Sequence, residues 1–167
     1  MKNHSTVNWW LPEGPDFSEV AYAASPRCGS TSLTVHFKQV PYATSCLPEE
    51  ALRIPRRVLI IRHPIERLKS AFAFFRNLGL VENNWRTFVD SVLDGTREMH
   101  TIPQYELNHE NNVYVPTEHV QLKHLDQEIP GIGHDNHVKP ASPQKPAYRI
   151  DELNALYKDD LSLSEWL

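Results

Sequence analysis

The chain has 167 residues, close to one average domain, and a composition of 40% hydrophobic and 23% charged residues is typical of a folded globular protein. The net charge of −4 argues against a protein that binds nucleic acid through bulk charge. Two cysteines are too few for a disulfide scaffold or an all-cysteine zinc site. Met1 to Trp10 lacks an apolar signal core, and no run approaches the roughly 18 apolar residues of a membrane span. We therefore predict one cytoplasmic domain over residues 1–167, with neither a membrane nor a nucleic acid as partner.

The first third of the chain alternates between polar connections and short periodic segments. An irregular N-terminal arm is expected first, because Trp9 and Trp10 are followed by prolines and glycine. The segments predicted in order are the arm (1–16), a short buried strand (17–24), a turn (25–30), a helix (31–40) and a connection (41–55) with one helical turn near Glu49.

The clearest strand is Val58 to Ile61, four consecutive apolar residues of which three are β-branched. Pro64 suits the first turn of a following helix. Ile65, Leu68, Phe72 and Phe75 recur at helical spacing, which predicts a helix over about 64–76. A second amphipathic helix is predicted from Trp85 to Leu93, ending near Gly95.

The C-terminal third contains weaker signals. A strand is predicted within 113–122, a loop over 130–146 with four prolines, and one helix from Ile150 to Leu161. Two short strands, each followed by a helix, favour an α/β layer with a parallel sheet.

A first candidate anion site lies between the first strand and its helix. Arg27 supplies a permanent charge, Gly29 allows close backbone approach, and Ser30, Thr31 and Ser32 supply hydroxyl and backbone donors at a helix N-terminus. Cys28 next to Arg27 is expected to have a lowered thiol pKa. The plainer alternative is a Ser-capped helix after a tight turn.

A second candidate anion site follows the strand 58–61. Arg62 stands at its carboxyl end, where ligands bind in open α/β sheets, and Ser70 follows eight residues later on the predicted helix. The Gly-Lys-Ser/Thr ending of a Walker A loop is missing, and no carboxylate follows the strand to hold magnesium. An ordinary basic strand end and a surface serine remain the alternative.

These two segments resemble the sulfotransferases that use 3′-phosphoadenosine 5′-phosphosulfate (PAPS). Residues 27–33 (RCGSTSL) look like the family's 5′-phosphosulfate loop, and residues 59–72 (LIIRHPIERLKSAF) look like its 3′-phosphate motif. The nearest branch is that of the carbohydrate sulfotransferases and their short bacterial or phage relatives. Weaker similarity over 100–104, 113–125 and 136–160 extends the resemblance to most of residues 18–162. It implies a P-loop-like three-layer α/β fold with a central parallel sheet flanked by helices.

The resemblance implies transfer of a sulfuryl group from PAPS to a hydroxyl or amine of a carbohydrate or small-molecule acceptor, without a metal. Cofactor contacts are then implied for residues 27–32 at the 5′-phosphosulfate and for Arg62 and Ser70 at the 3′-phosphate. Arg27 stands where many relatives have lysine and is expected to stabilise the leaving oxygen. Lys139 is a further candidate contact to the 3′-phosphate.

The general base is less well defined by the sequence. A histidine that several carbohydrate relatives have before the 3′-phosphate strand is missing from residues 40–55. His100, in a His-x-x-Pro-Gln segment that recurs in relatives, is the first choice, followed by His36 and Glu118. His134 and His137 are interpreted as solvated or substrate-facing side chains. Two other functions stay open: a non-catalytic protein that binds PAPS or its desulfated product PAP, and a nucleotide or metabolite kinase.

Overall fold

The computed structural model describes residues 9–96, 98–106, 116–133 and 148–165, which form a mixed α/β fold. The strands are β1 (Trp9–Leu11), β2 (Val20–Ala24), β3 (Thr44–Cys46), β4 (Arg56–Ile61) and β5 (Glu118–Gln121). The α-helices are α1 (Ser30–Gln39), α2 (Pro48–Ala51), α3 (Pro64–Asn77), α4 (Trp85–Leu93), α5 (Leu125–Glu128), α6 (Ile150–Leu156) and α7 (Lys158–Glu165).

The five strands form one sheet in the order β3-β1-β2-β4-β5. Strands β2, β4 and β5 are parallel, as the strand–helix pattern predicts, whereas β1 runs antiparallel to both β2 and β3. The prediction of an irregular arm is therefore wrong at Trp9–Leu11. The side chains of Trp9 and Leu11 are buried in the core, and this alternation of buried positions holds the segment in the sheet.

The two faces of the central strands pack in different hydrophobic clusters. Tyr22, Val58 and Ile60 share one cluster with residues of α1 and α5. Ala23 and Leu59 share the other with residues of β1 and α2 and with α7. Strand β4 is therefore buried on both faces, which explains why its sequence is apolar without alternation.

Helices α3, α4 and α6 form a third cluster. The predicted stripe of α3 is confirmed, since Ile65, Leu68, Phe72 and Phe75 are all buried in it. Helix α4 begins at Trp85, where the Asn84 side chain accepts hydrogen bonds from the backbone N–H groups of two residues of the first turn.

Some sequence-based predictions differ from the structure. The connection 41–55 contains the expected helical turn as α2 but also the short strand β3, which was not predicted, and the predicted C-terminal helix is divided into α6 and α7 at Tyr157. The fifth strand occupies 118–121 of the predicted 113–122, of which 113–115 lie outside the described residues. The predicted loop is described only as far as residue 133.

Helices α1 and α3 both begin at the carboxyl end of a parallel strand. Ala24 at the end of β2 pairs with Ile60 near the end of β4. Arg27 and Arg62 therefore follow neighbouring strands at the same edge of the sheet. Within the described part of the chain, no helix has the length and apolar character needed to cross a membrane.

Candidate functional site

A tight turn connects β2 to α1. The Cys28 N–H donates to the Ser25 carbonyl at 2.9 Å, and Gly29, with a φ of 90°, is the residue before the helix. No side chain caps the helix, and its first turn contains no acidic residue. The start of α1 thus presents a positive dipole end that its own side chains do not neutralise.

Gly29 has a reason to be glycine besides any ligand. A Cβ atom at this position would lie 2.8 Å from Cδ1 of Leu122, and its positive φ disfavours other residues. Sequence reasoning gave Gly29 the role of admitting a ligand, but the structure shows Leu122 against that side of the residue. Ser30 is exposed and Ser32 is buried, so these two hydroxyl residues face different surroundings.

Arg27 and Ser70, predicted to serve different ends of the nucleotide, are in direct contact. Nε and Nη2 of Arg27 each donate to Oγ of Ser70 at 3.2 Å. The guanidinium carbon of Arg27 also lies 4.7 Å from the centre of the Phe74 ring, a cation–π arrangement. The turn after β2 and helix α3 therefore meet at the Arg27 side chain.

Arg62 adds a second positive charge to this region. The pKa of Arg27 is lowered, first by burial and then by the charge of Arg62. Among the described residues, no hydrogen bond or ion pair joins a carboxylate to either side chain. Two neighbouring guanidinium groups without a carboxylate partner form a site to which an anion would bind favourably.

Gln104 fixes the backbone at Arg62. The amide nitrogen of Gln104 donates to the Arg62 carbonyl at 2.7 Å, and the amide oxygen accepts from the Arg62 N–H at 3.0 Å. The buried carboxylate of Asp160 in turn accepts from the backbone N–H groups of Gln104 and Tyr105 at 2.8 and 2.7 Å. Neither role was predicted from the sequence, because the partners are 42 and 56 residues apart.

Cys28 is buried, and the pKa of its thiol is raised rather than lowered. Its thiol donates to the amide oxygen of Gln104 at 3.0 Å. Burial raises the pKa of Cys28 to about 12, and the opposing effect of nearby arginines is smaller. The prediction of a lowered pKa is therefore wrong, because it considered the charge of Arg27 and not the loss of solvent.

A buried arginine connects the turn between β2 and α1 to residues 99–102, the segment that contains His100. Arg67 of α3 is 1% exposed and donates to the carbonyls of Pro26, Met99 and Ile102 at 2.8, 2.9 and 2.6 Å. The hydroxyl of Tyr157 donates to the carbonyl of Thr101 at 2.6 Å. The segment 99–102 is thus held at three carbonyls by two distant side chains.

Arg27 and His100 line one cleft of about 530 Å³. Helix α1 contributes Ser30, Thr31 and Lys38 to the same cleft. No carboxylate is among its described lining residues. The described residues that line it are Trp10, Ala24, Pro26, Arg27, Ser30, Thr31, Leu33, Thr34, Lys38, Ser45, Phe74, Met99 and His100.

The His100 ring is oriented by a carboxylate and two aromatic rings. Its Nδ1 lies 3.0 and 3.2 Å from the two carboxylate oxygens of Glu98, and its centre lies 5.0 Å from the Phe74 ring and 5.4 Å from the Phe75 ring. When Nδ1 carries the proton shared with Glu98, Nε2 is the nitrogen that can accept one.

The other two candidate bases lie elsewhere. His36 lines a different cleft, of about 410 Å³, together with Tyr22 and Glu128. Glu118 begins β5 opposite Val58, at the amino end of the parallel strands. Its carboxylate binds Arg56 at 2.9 Å, and this hydrogen bond lowers the pKa of Glu118. Of the three candidates, His100 is the one that lines the same cleft as Arg27.

Comparisons of this chain with protein-family models, with curated proteins and with solved structures found no match. Within the described residues, no group of three or more histidine, cysteine, aspartate or glutamate side chains could hold a metal ion. Lys139, His134 and His137 lie outside the described residues.

Proposed function

We propose that this protein transfers a sulfuryl group from PAPS to a hydroxyl or amine of a carbohydrate or small-molecule acceptor, on a P-loop-like three-layer α/β fold. One observation carries the proposal. Arg27 and Arg62 follow adjacent parallel strands, lie close enough to repel each other, and have no described carboxylate partner. A ligand with two separated anionic groups, such as this 3′,5′-substituted nucleotide, would compensate both charges.

The nucleotide is proposed to extend across the two strand ends. Arg27 and the start of α1 would bind the 5′-phosphosulfate, and Arg62 with Ser70 would bind the 3′-phosphate. The contact between Arg27 and Ser70 is compatible with this arrangement. A hydroxyl oxygen can accept from a guanidinium while its own hydrogen is donated to a phosphate.

The proposed chemistry is a direct displacement at sulfur. The acceptor oxygen or nitrogen forms a bond to sulfur while the bond from sulfur to the bridging phosphate oxygen breaks, and PAP leaves with that electron pair. Nε2 of His100 accepts the proton of the acceptor. Arg27 stabilises the negative charge that develops on the bridging oxygen. The protein itself supplies both charge compensation and a proton acceptor.

The same residues give less support to the kinase alternative. Kinases and related enzymes commonly hold magnesium with a carboxylate near the end of a strand, whereas β4 is followed by Arg62. A non-catalytic protein that binds PAP would use the same two arginines. It differs from the enzyme in lacking turnover, so transfer itself must be measured.

Thermal-shift measurements with PAP, PAPS, AMP, ATP and GTP test the proposal. We expect PAP and PAPS to raise the melting temperature strongly, because a ligand stabilises the state that binds it. AMP should have much less effect, since it lacks the 3′-phosphate. An equal shift with ATP or GTP would support the kinase, and a shift with PAP but no transfer to sugars, phenols or amines would support the binding protein.

A further inference from the structure

The cleft that contains Arg27 and His100 continues along α1 to a distal end. Lys38 follows Ser30 by eight residues, about 12 Å along a helix at 1.5 Å per residue. Trp10 of β1 stacks on Phe37, the residue before Lys38, and pairs with Ser45 of β3, so these lining residues belong to the same distal end. The start of α1 and Lys38 thus lie about 12 Å apart along one cleft.

The distal end has a rigid aromatic wall. Trp10 is paired with Tyr22 on one neighbouring strand and with Ser45 on the other. Its ring is stacked on that of Phe37, with centres 5.8 Å apart and planes 21° apart, and Phe37 is stacked on Tyr22 with the same geometry. Trp10 remains partly exposed. Its indole is thus held in place while part of it stays available for stacking.

The distal end also favours negative charge. Lys38 is exposed, and its ammonium group is the charge that α1 contributes there. No carboxylate lines the described part of the cleft, so nothing in that lining would repel an anion. A flat apolar surface beside a cation is suited to a ring that carries an acid group.

The direction of the nucleotide leaves this end of the cleft to the acceptor, an inference that rests on the proposed function. Arg62 and Ser70, the proposed contacts of the 3′-phosphate, are not among the residues that line the cleft. Because Ser70 binds the Arg27 guanidinium, the nucleotide would run from Arg27 toward α3. The part of the cleft lined by Trp10, Lys38 and Ser45 therefore contains neither of the proposed 3′-phosphate contacts.

We propose that Trp10, Lys38 and Ser45 form an acceptor subsite for a ring compound that carries a carboxylate or sulfate. The ring stacks on Trp10, the acid group binds Lys38, and a hydroxyl of the ring faces His100. Sugar acids and hydroxylated aryl acids share this chemistry.

Matched acid and neutral acceptors test the subsite in a PAPS transfer assay. Methyl glucuronide is compared with methyl glucoside, and 4-hydroxyphenylacetate with 4-hydroxyphenylacetamide, so that the two pairs distinguish a sugar from an aryl acceptor. In the pair that reacts, we expect kcat/KM to be about tenfold or more higher for the acid. Lys38→Gln should abolish this preference, and Lys158→Gln, at an exposed position on α7, should retain it. Equal kcat/KM for acid and neutral compound, or an unchanged preference in Lys38→Gln, overturns the subsite.

Direct titration separates this inference from the proposed function. The four compounds are titrated into the protein, with PAP present if PAP binds, and followed at the Trp10 indole N–H resonance, which Trp10→Phe identifies. Acids that shift this resonance more than their neutral partners, with the difference lost in Lys38→Gln, support the subsite even if no sulfuryl transfer occurs. If the Trp10 resonance does not shift, or shifts equally with acid and neutral compounds, the subsite is rejected even if PAP binds tightly. Failure of PAP and PAPS to bind rejects the proposed function alone.

Discussion

Arg27 and Arg62 illustrate how two residues with the same charge can be assigned different tasks. Arg27 is fixed by a hydroxyl and an aromatic ring, and it lines the cleft next to His100. Arg62 is fixed through its backbone by Gln104 and lies outside the lining of that cleft. Loss of either side chain should therefore affect a different part of the ligand.

Arg62→Ala should weaken the binding of PAP and leave the binding of AMP almost unchanged. The variant removes a charge-assisted contact to the 3′-phosphate, worth about 2–3 kcal/mol or roughly 30- to 150-fold in Kd. Calorimetry with both nucleotides measures the difference. Arg53→Ala, at an exposed position outside the cleft, serves as the control and should bind PAP normally. Equal weakening of PAP and AMP by Arg62→Ala would contradict the assignment of the 3′-phosphate.

Arg27→Ala and His100→Ala should impair transfer in different ways. Arg27→Ala should lower turnover by about 10²-fold or more and also weaken PAP binding, because its charge meets the bound phosphate as well as the leaving oxygen. His100→Ala should lower turnover by roughly 10²–10⁴-fold with PAP affinity intact, since the base acts on the acceptor. Single-turnover kinetics and PAP titration together provide the two readouts.

The control for this comparison is His124→Ala, which changes a histidine outside the cleft lining and should keep wild-type turnover. Wild-type turnover in His100→Ala would exclude His100 as the base. In that case the same assay on His36→Ala and Glu118→Gln would show whether a base outside the cleft takes part.

Short sequence patterns were enough to select the residues of the candidate site, but they did not predict which residues these would contact. Arg27, Arg62 and Ser70 could be selected because strand ends and helix starts are visible in the sequence. The backbone of Arg62 and the turn before Arg27 are held by Gln104 and Arg67, whose partners are distant in the chain. Cys28 shows the main failure, because its burial is a tertiary property and outweighs the adjacent charge.

At the scale of elements, helix α3 does more than bury an apolar stripe. The predicted stripe packs on α4 and α6. The side chain of Arg67 extends from the same helix and donates hydrogen bonds to three carbonyls of two other segments. Periodicity predicted the first property and could not predict the second, since a charged residue in an amphipathic helix is normally assigned to solvent. Strand β1 was missed for a related reason: its three residues form a strand only because β2 and β3 flank them.

Arg67→Met should destabilise the protein by about 3 kcal/mol or more. Methionine keeps much of the volume but leaves the carbonyls of Pro26, Met99 and Ile102 without their buried donor. Urea unfolding measures the loss. The matched control is Lys69→Met on the same helix, whose ion pair with Glu66 is solvent-exposed and which should change stability by less than about 0.5 kcal/mol.

The same variant should affect the cleft beyond its effect on stability. Because Arg67 holds the carbonyls at 99 and 102, its loss should displace His100 from Arg27. At a temperature where Arg67→Met is still folded, turnover should fall more than PAP affinity. A fully active, strongly destabilised variant would show that the segment 99–102 keeps its position without Arg67.

At the scale of the whole molecule, one of the two clusters that cover the sheet contains two ionisable groups with raised pKa values, Tyr22 and Cys28. Burial raises the pKa of Cys28 and of Tyr22 to about 12, and the neighbouring Glu128 carboxylate contributes to the shift at Tyr22. Their ordinary values are 9.0 and 10.0. The folded protein thus keeps two protons through a range of pH in which the unfolded chain releases them.

Stability should therefore decrease in alkaline solution. Below about pH 9 both states hold these protons and the contribution is complete; above it the unfolded state binds fewer, so the free energy of unfolding falls as pH rises toward about 12. Each proton retained by the folded state alone lowers this free energy by about 1.4 kcal/mol per pH unit.

Urea unfolding at several values between about pH 8 and pH 11 measures the slope. Cys28→Ala should flatten the decline that begins near pH 9, and Tyr22→Phe the part that begins near pH 10, whereas Tyr42→Phe, at an exposed tyrosine, should leave the curve unchanged. A decline that is the same in all three variants would assign the alkaline sensitivity to other groups.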